Sequence, residues 1–397
     1  MVSVNCEVHF MNVPINYWKR VEKIRAAMES NGFDVLVLTR NKELTYISGA
    51  FLPWRSAVVV PLDGEVQLYT VLSDSERVKD DSWIENVTGY APLPGLSMVD
   101  LVIAYLKENK LEKSTIGVNL GYTIRVNEGY LFATEYEELR SGLPDAEFKN
   151  AVQLMDEVMV IKDRGAIKLM RQAAAITDVG VDVALGTLAP GMSEIELAGV
   201  IDEAMRRVGN QWAWALTGGN EIGAGERTAY HMGATTPPTQ RIIQQGDNVI
   251  VDLHSMYELH LSDLTHNIIL GSPTKEQKKL AEVYVEAATT LIDSMQPGVK
   301  VGDIARKVYE TVERAGYGNN IVQMFGHGLG AIGDEWYLPI LGYGPYSEKT
   351  LEPNMVEVAV CILSEPGVAG YRLEYPVLIT ESGAKPLAKT PIEPTIL

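Results

Sequence analysis

Cysteine is nearly missing from this chain. Cys6 and Cys361 are the only two in 397 residues, and neither stands in a Cys-x-x-Cys arrangement, which argues against a disulfide framework or a thiolate zinc site. No run of about 18 apolar residues occurs, so an ordinary transmembrane helix is excluded. Basic residues are outnumbered, 34 Lys and Arg against 52 Asp and Glu for a formal net charge of −18. They are not clustered either, which argues against nucleic acid or an anionic membrane as partner. The opening stretch MVSVNCEVHFMNVPINYW lacks the basic-then-apolar order of a signal peptide, so a cytoplasmic protein is expected.

What is present is a globular composition, 46% hydrophobic and 22% charged, in a chain long enough for about two domains. Residues 1–154 read as alternating strands and helices. Tyr17 to Asn31 forms an amphipathic helix ending near Gly32, FDVLVLT, SAVVVPL and STIGVNL are strands, and Leu101 to Asn109 is helical, which predicts an α/β layer domain. From 155 to 397 the texture changes. A long helix over Arg164 to Gly186 is followed by one over Ser193 to Arg207 that opens with the capping pattern Ser193-x-x-Glu196. Thr274-x-x-Gln277 opens a further helix. The segments APGMSEIELAGVIDEAMRRVG and QPGVKVGDIARKVYETVERAG match at a constant offset of about 107 residues, Pro-Gly and terminal Gly included, which predicts an internal duplication. Each half would supply two helices and then strands, giving a pseudo-twofold domain with a cleft between the halves.

Carboxylates carry the chemistry. Asp252 and Asp263 lie in NVIVDLHSMYELHLSDLTHNIILG, which reads as a hairpin with a loop around Tyr257. Downstream come His327 in FGHGLG, Glu365 in SEPG and Glu374 in YRLEYP. Four carboxylates and an imidazole suit a pair of divalent ions, Mn, Co, Fe or Zn, if they converge. Either aspartate alone reads more simply as a strand-end residue in a turn.

These motifs resemble the metal-site motifs of the creatinase/aminopeptidase P/prolidase family of pita-bread metallopeptidases (M24). The likeness covers about 155–397, and residues 1–154 resemble the creatinase-type N-terminal domain. The resemblance implies an α/β (α+β) chain acting as a dinuclear metallohydrolase on an amide-type C–N bond, in a dipeptide or an N-terminal Xaa-Pro peptide, and working as a homodimer. It implies that Asp252, Asp263, His327, Glu365 and Glu374 bind two ions, with Asp263 and Glu374 bridging. Glu365 would also move the proton.

Further roles follow from position for Arg372 and, for His231, Asp334, Trp54 and Arg55, are what the resemblance implies. Arg372 lies two residues before Glu374 and on the same strand face, where it would orient that carboxylate. His231 in AYHMGA would handle substrate or leaving group, or be a hydrogen-bonded loop histidine. Asp334 stands where many family members have a second, substrate-contacting histidine, and it would hold a substrate cation or be solvated. Trp54 and Arg55 would bind substrate in the neighbouring subunit's site, or form a turn before a strand. Trp212 and Trp214 read as cleft wall or core. His254, His260 and His266 read as outer-shell or surface groups rather than ligands. Two rival functions stay open. One is a lyase acting on dimethylsulfoniopropionate or a similar cation, caged by Asp334, Trp54 and the tryptophan pair; the other is a peptide-binding module without catalysis.

Overall fold

The computed structural model describes residues 14–91, 93–121, 128–211, 219–230 and 236–397. His231, Trp212, Trp214 and Cys6 lie outside them. The chain forms two compact units, Pro14–Met159 and Val160–Leu397.

The first unit alternates strands and helices: α1 (Tyr17–Asn31), β1 (Val35–Leu38), α2 (Asn41–Ser48), β2 (Ala57–Pro61), β3 (Gln67–Val71), α3 (Ser75–Asp81), β4 (Val87–Tyr90), α4 (Met98–Glu108), β5 (Thr115–Val118), α5 (Ala133–Gly142), β6 (Glu147–Asn150) and α6 (Val152–Met159). The strands make one mixed sheet, ordered β4-β3-β2-β1-β5-β6. Helix α1 starts where the Asn16 side chain accepts from the Lys19 N–H and stops at Gly32, whose φ of 70° reverses the chain. Helix α6 carries Met155, Val158 and Met159 into this unit's core, so the unit ends five residues past the expected residue 154.

The second unit contains α7 (Arg164–Thr187), α8 (Glu194–Arg207), β7 (Glu221–Ala224), β8 (Asn248–Tyr257), β9 (His260–Ile269), α9 (Lys275–Ser294), α10 (Val301–Arg314), β10 (Gly326–Leu329), β11 (Asp334–Glu335), β12 (Val356–Glu365), β13 (Ala369–Thr380), β14 (Gly383–Pro386) and β15 (Thr395–Ile396). Two sheets result, β15-β9-β8-β7 and β11-β10-β12-β13-β14. The duplication holds in three dimensions: α8 and α10 each span 14 residues, and each half follows a helix pair with a long antiparallel hairpin. Gly191, Gly209, Gly298 and Gly316 all have φ between 81° and 104°, a conformation costly for any residue with a Cβ. That is why the Pro-Gly and terminal Gly positions repeat. The capping boxes at Ser193/Glu196 and Thr274/Gln277 both form.

Alternation decides what each strand offers to each side. In β8 the buried Val251 and Leu253 belong to the apolar core with Ile176 and Met205 of α7 and α8. Helix α7 lies close at Gly180, where a Cβ would come within 2.6 Å of Leu253. Asp252 and His254 therefore point away from the helices. The two sheets are stitched together at the side chain of Asn267, which donates to the Arg372 carbonyl at 2.7 Å and accepts from the Arg372 N–H at 2.9 Å.

Candidate metal centre

The β8–β9 hairpin turns through two residues, Glu258 and Leu259, at φ 45° and 62°, the backbone of a type I′ reversal. It fixes a register in which Asp252 faces Thr265 and His254 faces Asp263. Period-two alternation puts these four on one sheet face, and Glu221 of β7, opposite Asp252, joins them. On the second sheet His327 faces Val358, Asp334 faces Leu329, and Val360 and Ile362 face Glu374 and Arg372. The same alternation puts His327, Asp334, Arg372 and Glu374 on one face.

The two faces meet around Asp263, which is fully buried and receives no hydrogen bond at either oxygen. Its Oδ1 lies 3.5 Å from His254 Nε2 and its Oδ2 lies 3.8 Å from His327 Nε2. His327 Nε2 is also 4.0 Å from Glu374 Oε2. The His327 Nδ1–H donates to the Gly328 carbonyl at 3.0 Å, which leaves Nε2 free to coordinate. Trp336 packs against the His327 ring, 4.8 Å between centroids. Asp252 is gripped by Thr265 Oγ1 at 2.8 Å and by Arg372 Nη1 at 2.9 Å, and the same guanidinium nitrogen reaches Glu221 at 2.8 Å.

Electrostatics follow from crowding acids in a dry site. Burial first, then Glu374, pushes the Asp252 and Asp263 carboxyls up. Glu374 is held down because His327 and Arg372 outweigh its burial. Burial works against a charged His327 ring, but Asp334, Glu374 and Asp263 outweigh it and raise its pKa to about 10. Burial and Asp263 contend in the same way at His254, whose pKa is raised.

Two sets of donor atoms lie within 4.8 Å of one another: Asp252, His254 and Asp263, and Asp263, His327 and Asp334. The spacings around Asp263 are too long for charge-assisted hydrogen bonds, which close to about 2.7–2.9 Å. They suit neighbours on one ion, since two ligands at about 2.0–2.1 Å in tetrahedral geometry stand about 3.4 Å apart. Divalent ions fit this donor set, with Asp263 common to both groups.

Not every expected residue arrives. Glu365 sits at the tip end of β12, facing Ala369. It is five positions from Val360, the residue opposite Glu374, or roughly 16 Å along the strand at 3.3 Å per residue. An odd offset also turns it to the other sheet face. The expectation that Glu365 binds metal and moves the proton is therefore corrected: the positions β12 presents beside Glu374 are Val358, Val360 and Ile362. Asp334 is buried, not solvated, 4.0 Å from His327 Nδ1. Surface exposure is also corrected for His254, His260 and His266, all buried. In the first unit, Arg55 is held by the Glu135 carboxylate and the Gly129 carbonyl and lies over the Phe132 ring. Trp54, its neighbour, is 57% exposed. Sequence reasoning missed Glu221 and Thr265 altogether and did not count His254 among the groups that could hold an ion. The signal for His254 was its even step from Asp252 on a strand.

Comparison with known proteins places the chain in a family. Residues 168–381 match the model of metallopeptidase family M24, and residues 20–160 match that of the creatinase/prolidase N-terminal domain. An Xaa-Pro dipeptidase of Pyrococcus horikoshii is 27% identical over 373 residues, covering 94% of this chain and 97% of that protein. One of Pyrococcus furiosus is also 27% identical, over 94% of this chain and 98% of its own. Among solved structures, the prolidase from Pyrococcus horikoshii OT3 superposes with a TM-score of 0.79 at 25% identity, over 94% of this chain and 99% of its own.

Proposed function

This chain belongs to metallopeptidase family M24, and on that premise we propose that it is a divalent-metal-dependent hydrolase cleaving the amide bond of a small peptide, an Xaa-Pro dipeptide or a peptide with an N-terminal Xaa-Pro bond. One observation carries the reading: Asp263, sealed from solvent, stands between two imidazoles with neither oxygen hydrogen-bonded. The names of the Pyrococcus relatives supply the substrate class. They leave the lyase and binding-module alternatives without support.

When bound, divalent ions supply Lewis acidity and a water of lowered pKa. The chain's own groups do the rest. Asp263 is shared by both donor sets, Arg372 and Thr265 fix the Asp252 carboxylate, and the Gly328 carbonyl fixes the His327 tautomer. With Glu365 away from the centre, we assign the proton-transfer role to the groups that face Asp263, and His231 stays our candidate for handling the leaving group. Trp54 remains a candidate substrate contact from a partner subunit. Homodimeric assembly and a cytoplasmic location are part of the proposal. Among the described residues no helix is long and apolar enough to cross a membrane.

The test is a panel of Xaa-Pro dipeptides set against sulfonium and betaine compounds. Dipeptide hydrolysis that disappears with a chelator and returns with Mn, Co, Fe or Zn is the expected result. Turnover of the sulfonium compounds alone, or peptide cleavage indifferent to chelation, overturns the reading.

A further inference from the structure

The site face of β12 offers Val358, Val360 and Ile362 where a pita-bread metal site expected from the motifs would need a carboxylate, and Glu365 is on the wrong face of that strand. The neighbouring sheet offers a group that the motifs did not assign. His254 is 7% exposed, faces Asp263 across the β8–β9 pair, and presents Nε2 3.5 Å from Asp263 Oδ1, while its Nδ1 has no hydrogen-bond partner. The same side chain lies within 4.8 Å, donor atom to donor atom, of Asp252 and Asp263 together.

A structural role explains these facts poorly. A histidine kept only to neutralise Asp263 would close to about 2.7–2.9 Å, the length of a charge-assisted bond. Asp252, a step away on the same face, makes its structural contacts at 2.8 and 2.9 Å, so the local packing permits short bonds where they are wanted. Asp263 has no donor at either oxygen and looks to a histidine from each sheet.

We propose that His254 is a metal ligand, so that the centre is built from two unequal triads, Asp252–His254–Asp263 and Asp263–His327–Asp334 supported by Glu374, with β12 contributing no ligand. This rests on the metallohydrolase reading and specifies its centre. It also narrows the ion. With an imidazole in each triad the donor set moves away from the all-oxygen character that suits Mg and Mn and toward Zn or Co.

The experiment is metal binding by the intact chain, read by equilibrium dialysis with elemental analysis and by zinc-edge X-ray absorption. Wild-type protein is expected to bind Zn in preference to Mn, with outer-shell imidazole scattering near one ring per zinc at full loading. His254→Asn is expected to lose affinity at one site by more than about 100-fold, above the effect of removing an outer partner, and Glu365→Gln is expected to bind like wild type. Unchanged binding by His254→Asn, or scattering near half a ring per zinc, overturns the ligand assignment and leaves the metallohydrolase reading standing. A wild-type chain that binds no divalent ion overturns both. If His254→Asn does not fold, the ring count in the wild-type protein decides.

Discussion

Asp252 is held by three elements at once: its own strand, Thr265 across the hairpin, and Arg372 from the second sheet. Arg372 is buried and also pairs with Glu221, so Arg372→Met leaves two buried carboxylates facing each other without their cation. We expect a loss of about 10–100-fold in metal affinity, the range for groups that orient ligands, measured by competition with a chromophoric chelator. Glu365→Gln, by contrast, is expected to keep turnover within a few-fold of wild type, and abolished activity would return Glu365 to the reaction. His266, on the opposite face of β9, is neutral in the fold: burial lowers its pKa to about 4, against about 6.5 when unfolded. Its contribution to stability is complete above about pH 6.5 and is lost as the pH falls through about 4, an effect of roughly 3 kcal/mol. Denaturant titrations from pH 7 to 4 are expected to show a flatter decline for His266→Gln.

Elements explain what was legible and what was not. Helix boundaries came through because caps are local: the Ser193 and Thr274 boxes and the Pro-Gly entries need only a few residues to act. Asp252 and Asp263 came through because they sit one step from directly opposed positions in a hairpin. Glu365 did not, since its motif is a string and its place is a register. In the tight β12–β13 hairpin Glu365 is paired with Ala369 next to the turn, and counting back from that turn assigns Val360 to Glu374. Position along a strand overrode resemblance of neighbours. Close approach of backbones was also invisible: a Cβ on Gly370 of β13 would fall 1.8 Å from the Thr228 carbonyl oxygen. Gly370→Ala is therefore expected to destabilise by about 3 kcal/mol or more, at the upper end for overpacking, and to show as a lowered midpoint in thermal unfolding.

At the scale of the whole chain, charge is buried in two unrelated ways. In the first unit Arg40 is fully enclosed and bonded to Glu43, Glu128 and Asp156 at 2.7–2.9 Å, with Lys42 also on Glu128. This cluster is closed by its own cations, so Arg40→Met is expected to cost about 3–5 kcal/mol and to raise hydrogen exchange in β1 and α2 whether or not metal is added. In the second unit Asp252, Asp263 and Asp334 fall in the proposed ligand sets, and added Zn is expected to slow exchange in β8, β9, β10 and β13. Loss of protection in the second unit on adding Zn would contradict that division. The acidity of the composition thus has two origins that a net charge cannot separate.

The duplication has one more consequence. Asp252, His254 and Asp263 all belong to the first repeat, while His327, Asp334 and Glu374 belong to the second. The Asp263–His327–Asp334 set draws on both repeats, so a cation held there would be a rivet between half-molecules joined in sequence by the short stretch from Gly271 to Pro273. Cutting the chain at that tether would leave two fragments whose reunion reports, by its dependence on zinc, how far coordination rather than covalent continuity keeps the halves in step.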